Sequence, residues 1–328
     1  MRVCFFSARR YDRESFDEVN AGRHELRYYD TRLMEETAAF ASGSEAICAF
    51  VNDDLSAPVL ERLAEAGVGL VALRSAGFNH VDLPAAKRLG LAVSRVPAYS
   101  PHAVAEHAVM LLLALSRHIC RAQARIRDGN FALDGLLGFG LHGRTVGVVG
   151  TGQIGTVFCR IMAGFGMRIL CHDPFPNDEV TALGARYVEL PELFAESDVI
   201  ALHVPLTEET RHLIDADALA TMKPGVVLIN TSRGPLIDTP AVIEALKARR
   251  LGGLAIDVYE EEAALFFEDH SADIPTDDVF ARLTTFPNVL VTGHQGFLTE
   301  EALRAIAETT VTALDAFAAG EPLAHPVG

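Results

Sequence analysis

The stretch Val146-Gly-Val-Val-Gly-Thr-Gly-Gln-Ile-Gly155 decides how this chain folds. An apolar run ends at Gly150, the pattern Gly150-x-Gly152-x-x-Gly155 follows at once, and a helical pattern runs from Ile154 to Phe165. The first glycine permits a tight turn, the second lets the backbone approach a pyrophosphate, and the third lets the helix pack closely on the strand. The helix then offers N–H groups, near Gln153 and Ile154, to phosphate oxygens. The next apolar run, Arg168 to His172, ends in Asp173, close to the spacing expected of an acid that hydrogen-bonds an adenine ribose. A carboxylate there repels a 2′-phosphate, and Pro174-Phe-Pro-Asn-Asp178 supplies no arginine to accept one, so NAD is favoured over NADP.

Apolar strand-like runs recur around this loop at Thr145 to Val149, Arg168 to His172, Asp198 to Val204, Gly225 to Asn230, Gly253 to Val258 and Asn288 to Thr292. Buried strands separated by helices or short turns predict a doubly wound, parallel, dinucleotide-binding sheet. The first hundred or so residues repeat the plan with Val3 to Phe6, Ala46 to Val51, Gly69 to Leu73 and Ala92 to Val96, alternating with helical patterns such as Pro58 to Ala66. Ser100 followed by Pro101 reads as a helix cap and first helical residue, so a long helix leaves the first domain there. A second crossing follows His294, ahead of a helix opening at Thr299. The expected class is α/β: two Rossmann-like doubly wound parallel-sheet domains. An NAD-binding domain (residues 101–296) is inserted in a discontinuous substrate domain (residues 1–100 and 297–328).

At 328 residues the chain is long enough for two such cores. Its 28 Lys+Arg against 44 Asp+Glu give a net charge of −16, which argues against nucleic acid or an anionic membrane as a general partner. Met1-Arg-Val-Cys-Phe-Phe-Ser7 lacks the cleavage pattern of a signal peptide, and the apolar stretch Val104 to Leu115 is interrupted by Glu106 and His107. A cytoplasmic protein is expected. Five cysteines (Cys4, Cys48, Cys120, Cys159 and Cys171) with no C-x-x-C spacing suggest neither a disulfide framework nor a metal site.

In a doubly wound sheet the ligand lies beyond the carboxyl ends of the strands. The residues there are His203-Val204-Pro205, Thr231-Ser232-Arg233-Gly234, Asp257 with Glu260, Glu261 and Glu262, and Gly293-His294-Gln295. One arginine, one histidine and several carboxylates thus converge from distant positions on one edge, a set suited to hydride transfer to a 2-keto acid. A guanidinium can clamp the carboxylate and polarise the adjacent carbonyl. An imidazolium can deliver a proton to the carbonyl oxygen near neutral pH, and a carboxylate behind it would orient it and favour its charged form. The three glutamates could equally be a solvated acidic turn, and position alone does not choose among them. Of the 12 histidines, His24, His102, His107, His118, His142, His172, His212 and His270 read as structural or surface residues.

Several stretches together resemble the D-specific 2-hydroxyacid dehydrogenase family over nearly the whole chain. They are Leu73-Arg-Ser-Ala-Gly-Phe-Asn-His-Val-Asp-Leu83, Val96-Pro-Ala-Tyr-Ser-Pro101, the glycine loop, His203-Val-Pro-Leu-Thr207, Asn230-Thr-Ser-Arg-Gly-Pro235, Asp257-Val-Tyr-Glu260 and Thr292-Gly-His-Gln-Gly-Phe297. The Gly77-Phe-Asn79 loop, Leu265-Phe-Phe-Glu-Asp269 and the His294-Gln295 pair are most similar to the fermentative D-lactate dehydrogenase branch. The resemblance implies that Arg233 binds the substrate carboxylate and that His294 donates the proton. It implies that Glu262, five residues past Asp257, pairs with His294, while Glu260 and Glu261 revert to the solvated turn. It also implies an NAD(H) site built from Gly150, Gly152, Gln153, Ile154, Gly155, Asp173, His203, Val204, Pro205, Thr231, Ser232 and Asp257, with no metal. Backbone N–H groups of Ala76 and Gly77 would face the substrate carboxylate, with Phe78, Tyr99 and Phe297 shaping the pocket.

The activity so implied is reversible NADH-dependent reduction of pyruvate to D-lactate. Alternatives are a bulkier 2-keto acid (phenylpyruvate, 2-ketoisocaproate or hydroxypyruvate) or an NAD-sensing role like that of the C-terminal-binding-protein corepressors. The helix near Pro101 carries more apolar residues than one core face needs, which predicts a homodimer, possibly a higher homo-oligomer.

Overall fold

Two parallel sheets organise the computed structural model, which describes residues 1–273 and 276–328. Contacts divide the chain into Met1–Ser100 with Phe297–Gly328, and Pro101–Gly296.

In the first unit the strands are β1 (Arg2–Phe5), β2 (Glu25–Tyr28), β3 (Ala46–Ala49), β4 (Leu70–Leu73) and β5 (Ala92–Ser94). Among the described residues they form a sheet in the order β2-β1-β3-β4-β5, every pair parallel. This is a doubly wound order whose direction reverses between β1 and β3. The sequences of β3 and β4, Ala-Ile-Cys-Ala and Leu-Val-Ala-Leu, are buried throughout, as strands covered by helices on both faces must be. The edge strand β2, Glu-Leu-Arg-Tyr, is half exposed and carries no apolar run, so it was not expected from the sequence. The returning segment completes this unit. Helix Glu300–Ala319 is capped by Thr299, whose Oγ1 accepts from Ala302 N at 3.2 Å, and it packs on helix Arg10–Asn20. Beyond it the chain joins the β5 edge: Arg95 N donates to His325 O at 3.1 Å and Val327 N to Val93 O at 2.9 Å.

In the second unit the strands are β6 (Thr145–Val149), β7 (Arg168–His172), β8 (Arg186–Tyr187), β9 (Val199–Leu202), β10 (Val226–Asn230), β11 (Leu251–Ile256) and β12 (Val289–Val291). Among the described residues their order is β12-β11-β10-β9-β6-β7-β8, all parallel. From β8 to β11 this is the dinucleotide-binding order 3-2-1-4-5-6, with β12 added at the edge. The direction reverses between β6 and β9, and the crevice beyond their carboxyl ends is where such sheets bind ligands. The extra strand relative to expectation is β8, two residues too polar and too short to read as an apolar run.

Helix Pro101–Ser116 lies against β10, β11 and β12 on one side and helix Gln153–Gly164 on another. Its Ala105, Ala108, Leu111 and Leu112 are fully buried there, so two neighbours absorb much of the apolar excess noted in its sequence. Among the described residues no single helix is long and apolar enough to cross a membrane.

Candidate active site

The glycine loop follows β6. Gly150 has φ +94°, and a Cβ there would strike the His203 carbonyl; one at Gly155 would strike the Gly150 carbonyl. At Gly152 a Cβ would meet nothing within 4 Å, which leaves that face of the loop open to a phosphate. Helix Gln153–Gly164 starts at Gly152 with no side-chain cap, so its first N–H groups face that open side without a side-chain acceptor. Asp173, just after β7, accepts at Oδ2 from Thr151 N (2.7 Å) and Thr151 Oγ1 (3.2 Å), and at Oδ1 from Phe175 N (2.8 Å). Thr151 is held further by the Tyr187 hydroxyl, which donates to its Oγ1 at 2.9 Å, and by Asn177 Nδ2, which donates to its carbonyl at 3.3 Å. The glycine loop and Asp173 are therefore one hydrogen-bonded unit. Tyr187 and Asn177 belong to it although nothing in their sequence context marked them.

His203 follows β9 and packs its ring 4.9 Å from Phe158. Burial pushes its imidazole down to about 4, so it is neutral at physiological pH. Its Nε2 and the Thr231 Oγ1 are buried polar atoms with no partner among the described residues. Together with the glycine cradle they suit a polar, pyrophosphate-bearing cofactor. Val204 and Pro205 continue the strand end, and Val204 O accepts from Ser232 Oγ at 2.5 Å.

The turn after β10 carries Arg233. Asn230 builds it: its Nδ2 donates to Arg233 O at 2.7 Å and its Oδ1 accepts from Ser232 N at 3.0 Å. Arg233 Nη1 donates to Ser232 O at 2.6 Å, and among the described residues the guanidinium has no carboxylate partner. A half-buried, uncompensated guanidinium is a site for an anion. A Cβ at Gly234 would collide with the Tyr259 carbonyl, so this turn lies directly on the segment that follows β11.

In that segment Glu262 Oε1 accepts from His294 Nδ1 at 2.8 Å, and Oε2 accepts from Tyr259 N at 3.0 Å. A carboxylate only accepts, so Nδ1 carries the hydrogen and Nε2 is the nitrogen left to exchange a proton. The Phe267 ring lies 5.7 Å from the His294 ring. Glu261 is exposed. Glu260 differs from the solvated turn expected of it: Oε1 lies 2.5 Å from His212 Nε2, and Oε2 accepts from Thr239 Oγ1 at 3.2 Å. His212, also read as bland, is thus its partner.

His294 occupies the left-handed region, with φ 52°. Asp257 holds the turn around it. Its carbonyl accepts from His294 N at 2.7 Å, its Oδ1 from Gln295 N at 2.9 Å and Thr292 Oγ1 at 2.5 Å, and its Oδ2 from Gly296 N at 2.8 Å. His107 Nε2 stands 3.2 Å from Asp257 Oδ1 and 3.0 Å from Thr292 Oγ1. Burial opposes ionisation of Asp257, but the hydrogen bonds from His107, Thr292 and the Gln295 N–H outweigh it and hold the carboxyl below the usual carboxylate range. The resemblance puts Asp257 in the NAD(H) site; in the structure both of its oxygens accept hydrogen bonds within the protein. His107, which read as structural, belongs to this network.

The remaining expected residues lie in the first unit. In the loop after β4, Ser75 Oγ donates to Gly77 O at 2.9 Å and Arg95 Nη1 to Ala76 O at 2.9 Å, while the Arg95 guanidinium sits 5.1 Å from the Phe78 ring. Tyr99 and Phe297 meet edge to face at 6.3 Å, and Phe50 lies 5.8 Å from Phe297.

An NAD-type sheet whose strand ends carry an uncompensated arginine and a carboxylate-backed histidine defines an NAD-dependent dehydrogenase acting on an acid with an adjacent carbonyl or hydroxyl. The chain belongs to the D-isomer specific 2-hydroxyacid dehydrogenase family, whose NAD binding domain matches residues 109–296. It is 54% identical to the D-lactate dehydrogenase of Escherichia coli (strain K12) over 98% of each chain. Among solved structures it is similar to the apo D-lactate dehydrogenase from Escherichia coli, with a TM-score of 0.92 and 51% identity over 100% of both chains. It is also similar to a pyruvate reductase of Chlamydomonas reinhardtii, with a TM-score of 0.95 and 43% identity over 99% of this chain and 98% of that one.

Proposed function

We propose that this enzyme reduces pyruvate to D-lactate with NADH, reversibly. The observation that carries the reading is the Glu262–His294 hydrogen bond, 2.8 Å long, on the same strand-end edge as the uncompensated Arg233. Bound NADH supplies the hydride to C2. Arg233 binds the substrate carboxylate and draws electron density from the carbonyl. His294 delivers the Nε2 proton to the carbonyl oxygen as the alkoxide develops, and Glu262 keeps the ring oriented. In lactate oxidation His294 takes the hydroxyl proton back. Ala76 and Gly77 supply backbone N–H groups toward the substrate carboxylate, and Phe78, Tyr99 and Phe297 limit the substrate's side chain. Full-length similarity to enzymes named for D-lactate and pyruvate supports pyruvate over bulkier acids.

The test is NADH oxidation with pyruvate, with the product analysed for chirality. Rapid formation of D-lactate is expected; L-lactate, or turnover confined to bulky keto acids, overturns the assignment.

The proposal extends to a cytoplasmic homodimer. Beside helix Pro101–Ser116, helix Ile119–Arg127 contributes no buried residue, and Leu133 and Leu137 are 81% and 92% exposed. Such apolar side chains suit a second copy of the chain. Light scattering at micromolar concentration should give twice the chain mass.

A further inference from the structure

We propose that His107 is a positioning residue for His294, acting through Asp257 and Thr292 to hold the turn that presents the imidazole. The inference rests on the reading of His294 as the proton donor and adds a residue far from it in sequence.

The turn Gly293-His294-Gln295-Gly296 follows β12 and lies outside the sheet, so no ladder fixes its backbone. His294 within it has φ 52°, a conformation unfavourable for a side-chain-bearing residue that persists only where the surroundings impose it. One residue takes up the N–H groups of the turn. Asp257 accepts the N–H groups of Gln295 and Gly296 on its two carboxylate oxygens, and its own carbonyl accepts from His294 N. Glu262 holds the ring itself, and the backbone that presents the ring depends on the orientation and charge of the buried Asp257 carboxylate.

His107 and Thr292 are the side chains that fix that carboxylate. Thr292 Oγ1 donates to Asp257 Oδ1 at 2.5 Å, and His107 Nε2 lies within 3.2 Å of the same oxygen and 3.0 Å of the threonine hydroxyl. The ring also abuts the turn itself, since a Cβ at Gly296 would lie 3.0 Å from Asp257 Oδ2 and 3.5 Å from His107 Cδ2. His107 comes from helix Pro101–Ser116, which is packed on β11 and β12, the strands that lead into Asp257 and Thr292. A rigid helix thus delivers a ring to the point where the two strand ends and the turn meet. Loss of that ring leaves a buried carboxylate with one fewer donor to balance its desolvation, and the turn it supports loosens.

The experiment compares wild type, His107→Leu and His107→Gln, the last because its amide nitrogen can reach the place of Nε2. Hydrogen exchange of peptides covering residues 291–297 is read beside steady-state pyruvate reduction and thermal midpoints. In His107→Leu, exchange should quicken and kcat should fall about 10- to 100-fold, the scale of a lost hydrogen bond to a charged group, while KM for NADH stays within about twofold. His107→Gln should recover most of both. A folded His107→Leu with unchanged exchange overturns the proposal, as does a loss confined to KM for NADH, which would return Asp257 to cofactor binding. Should wild type turn over no pyruvate, the proposed function fails, yet the exchange comparison still decides the positioning role. If His107→Leu does not fold, Thr292→Val removes the other side-chain bond to Asp257 Oδ1 together with the hydroxyl that His107 reaches, and the same quickened exchange is expected; unchanged exchange overturns the proposal.

Discussion

At the scale of single residues, the 2.8 Å contact between Glu262 and His294 Nδ1 determines which ring nitrogen can serve the substrate. His294→Ala should lower kcat for pyruvate reduction by about 10²- to 10⁴-fold, the usual contribution of a positioned acid, with NADH still binding in a fluorescence titration. Glu262→Gln replaces the charged acceptor behind Nδ1 with a neutral one, so kcat should fall, though by less than in His294→Ala. Glu261→Gln should leave kcat unchanged, because its side chain is exposed while Nδ1 is bonded to Glu262. Arg233 and His294 were legible in sequence because strand ends can be recognised one at a time. The choice among three adjacent glutamates was not legible from charge or periodicity, and it came from motif register alone. Glu260 with His212 and Asp257 with His107 join positions far apart in the chain, and no local pattern announces such pairs.

Between strands and loops, close backbone approach limits what can change. At Gly234 a Cβ would run into the Tyr259 carbonyl and press the arginine turn away from the segment that carries Glu262. Gly234→Ala should destabilise the protein by about 1–3 kcal/mol in urea unfolding, the range of overpacking, and lower activity more than NADH affinity. At the end of β9, His203 gives the folded state a pH dependence. Its pKa is about 4 when folded against the usual 6.5, so the unfolded chain binds more protons between those values. The stability it contributes is complete above pH 6.5 and is lost as pH falls toward 4. Urea midpoints from pH 7 to pH 4.5 should therefore fall less steeply for His203→Asn than for wild type. The strongly apolar strands and the helices with clear caps could be read in advance. The edge strands β2 and β8 could not, because a strand of Glu-Leu-Arg-Tyr or Arg-Tyr has little to bury and is recruited by its neighbour's free backbone groups.

Across the whole molecule, the two doubly wound units differ in how the chain visits them. Pro101–Gly296 is continuous, whereas the other unit needs both Met1–Ser100 and Phe297–Gly328. The later segment provides a helix packed on Arg10–Asn20 and a strip bonded to the β5 edge through His325 and Val327. Chains emerging from a ribosome thus present the first hundred or so residues long before their packing partner exists. The nucleotide-binding unit should reach its native state while the opening segment is still incomplete, reversing the usual order of vectorial folding. Limited proteolysis of ribosome-stalled chains should find residues 101–296 protected before residues 1–100, and equal protection of both would refute that order. Until residues 297–328 emerge, the first sheet lacks the helix and edge strip that cover it and exposes apolar surface, and this is the interval in which a chaperone would have most to shield.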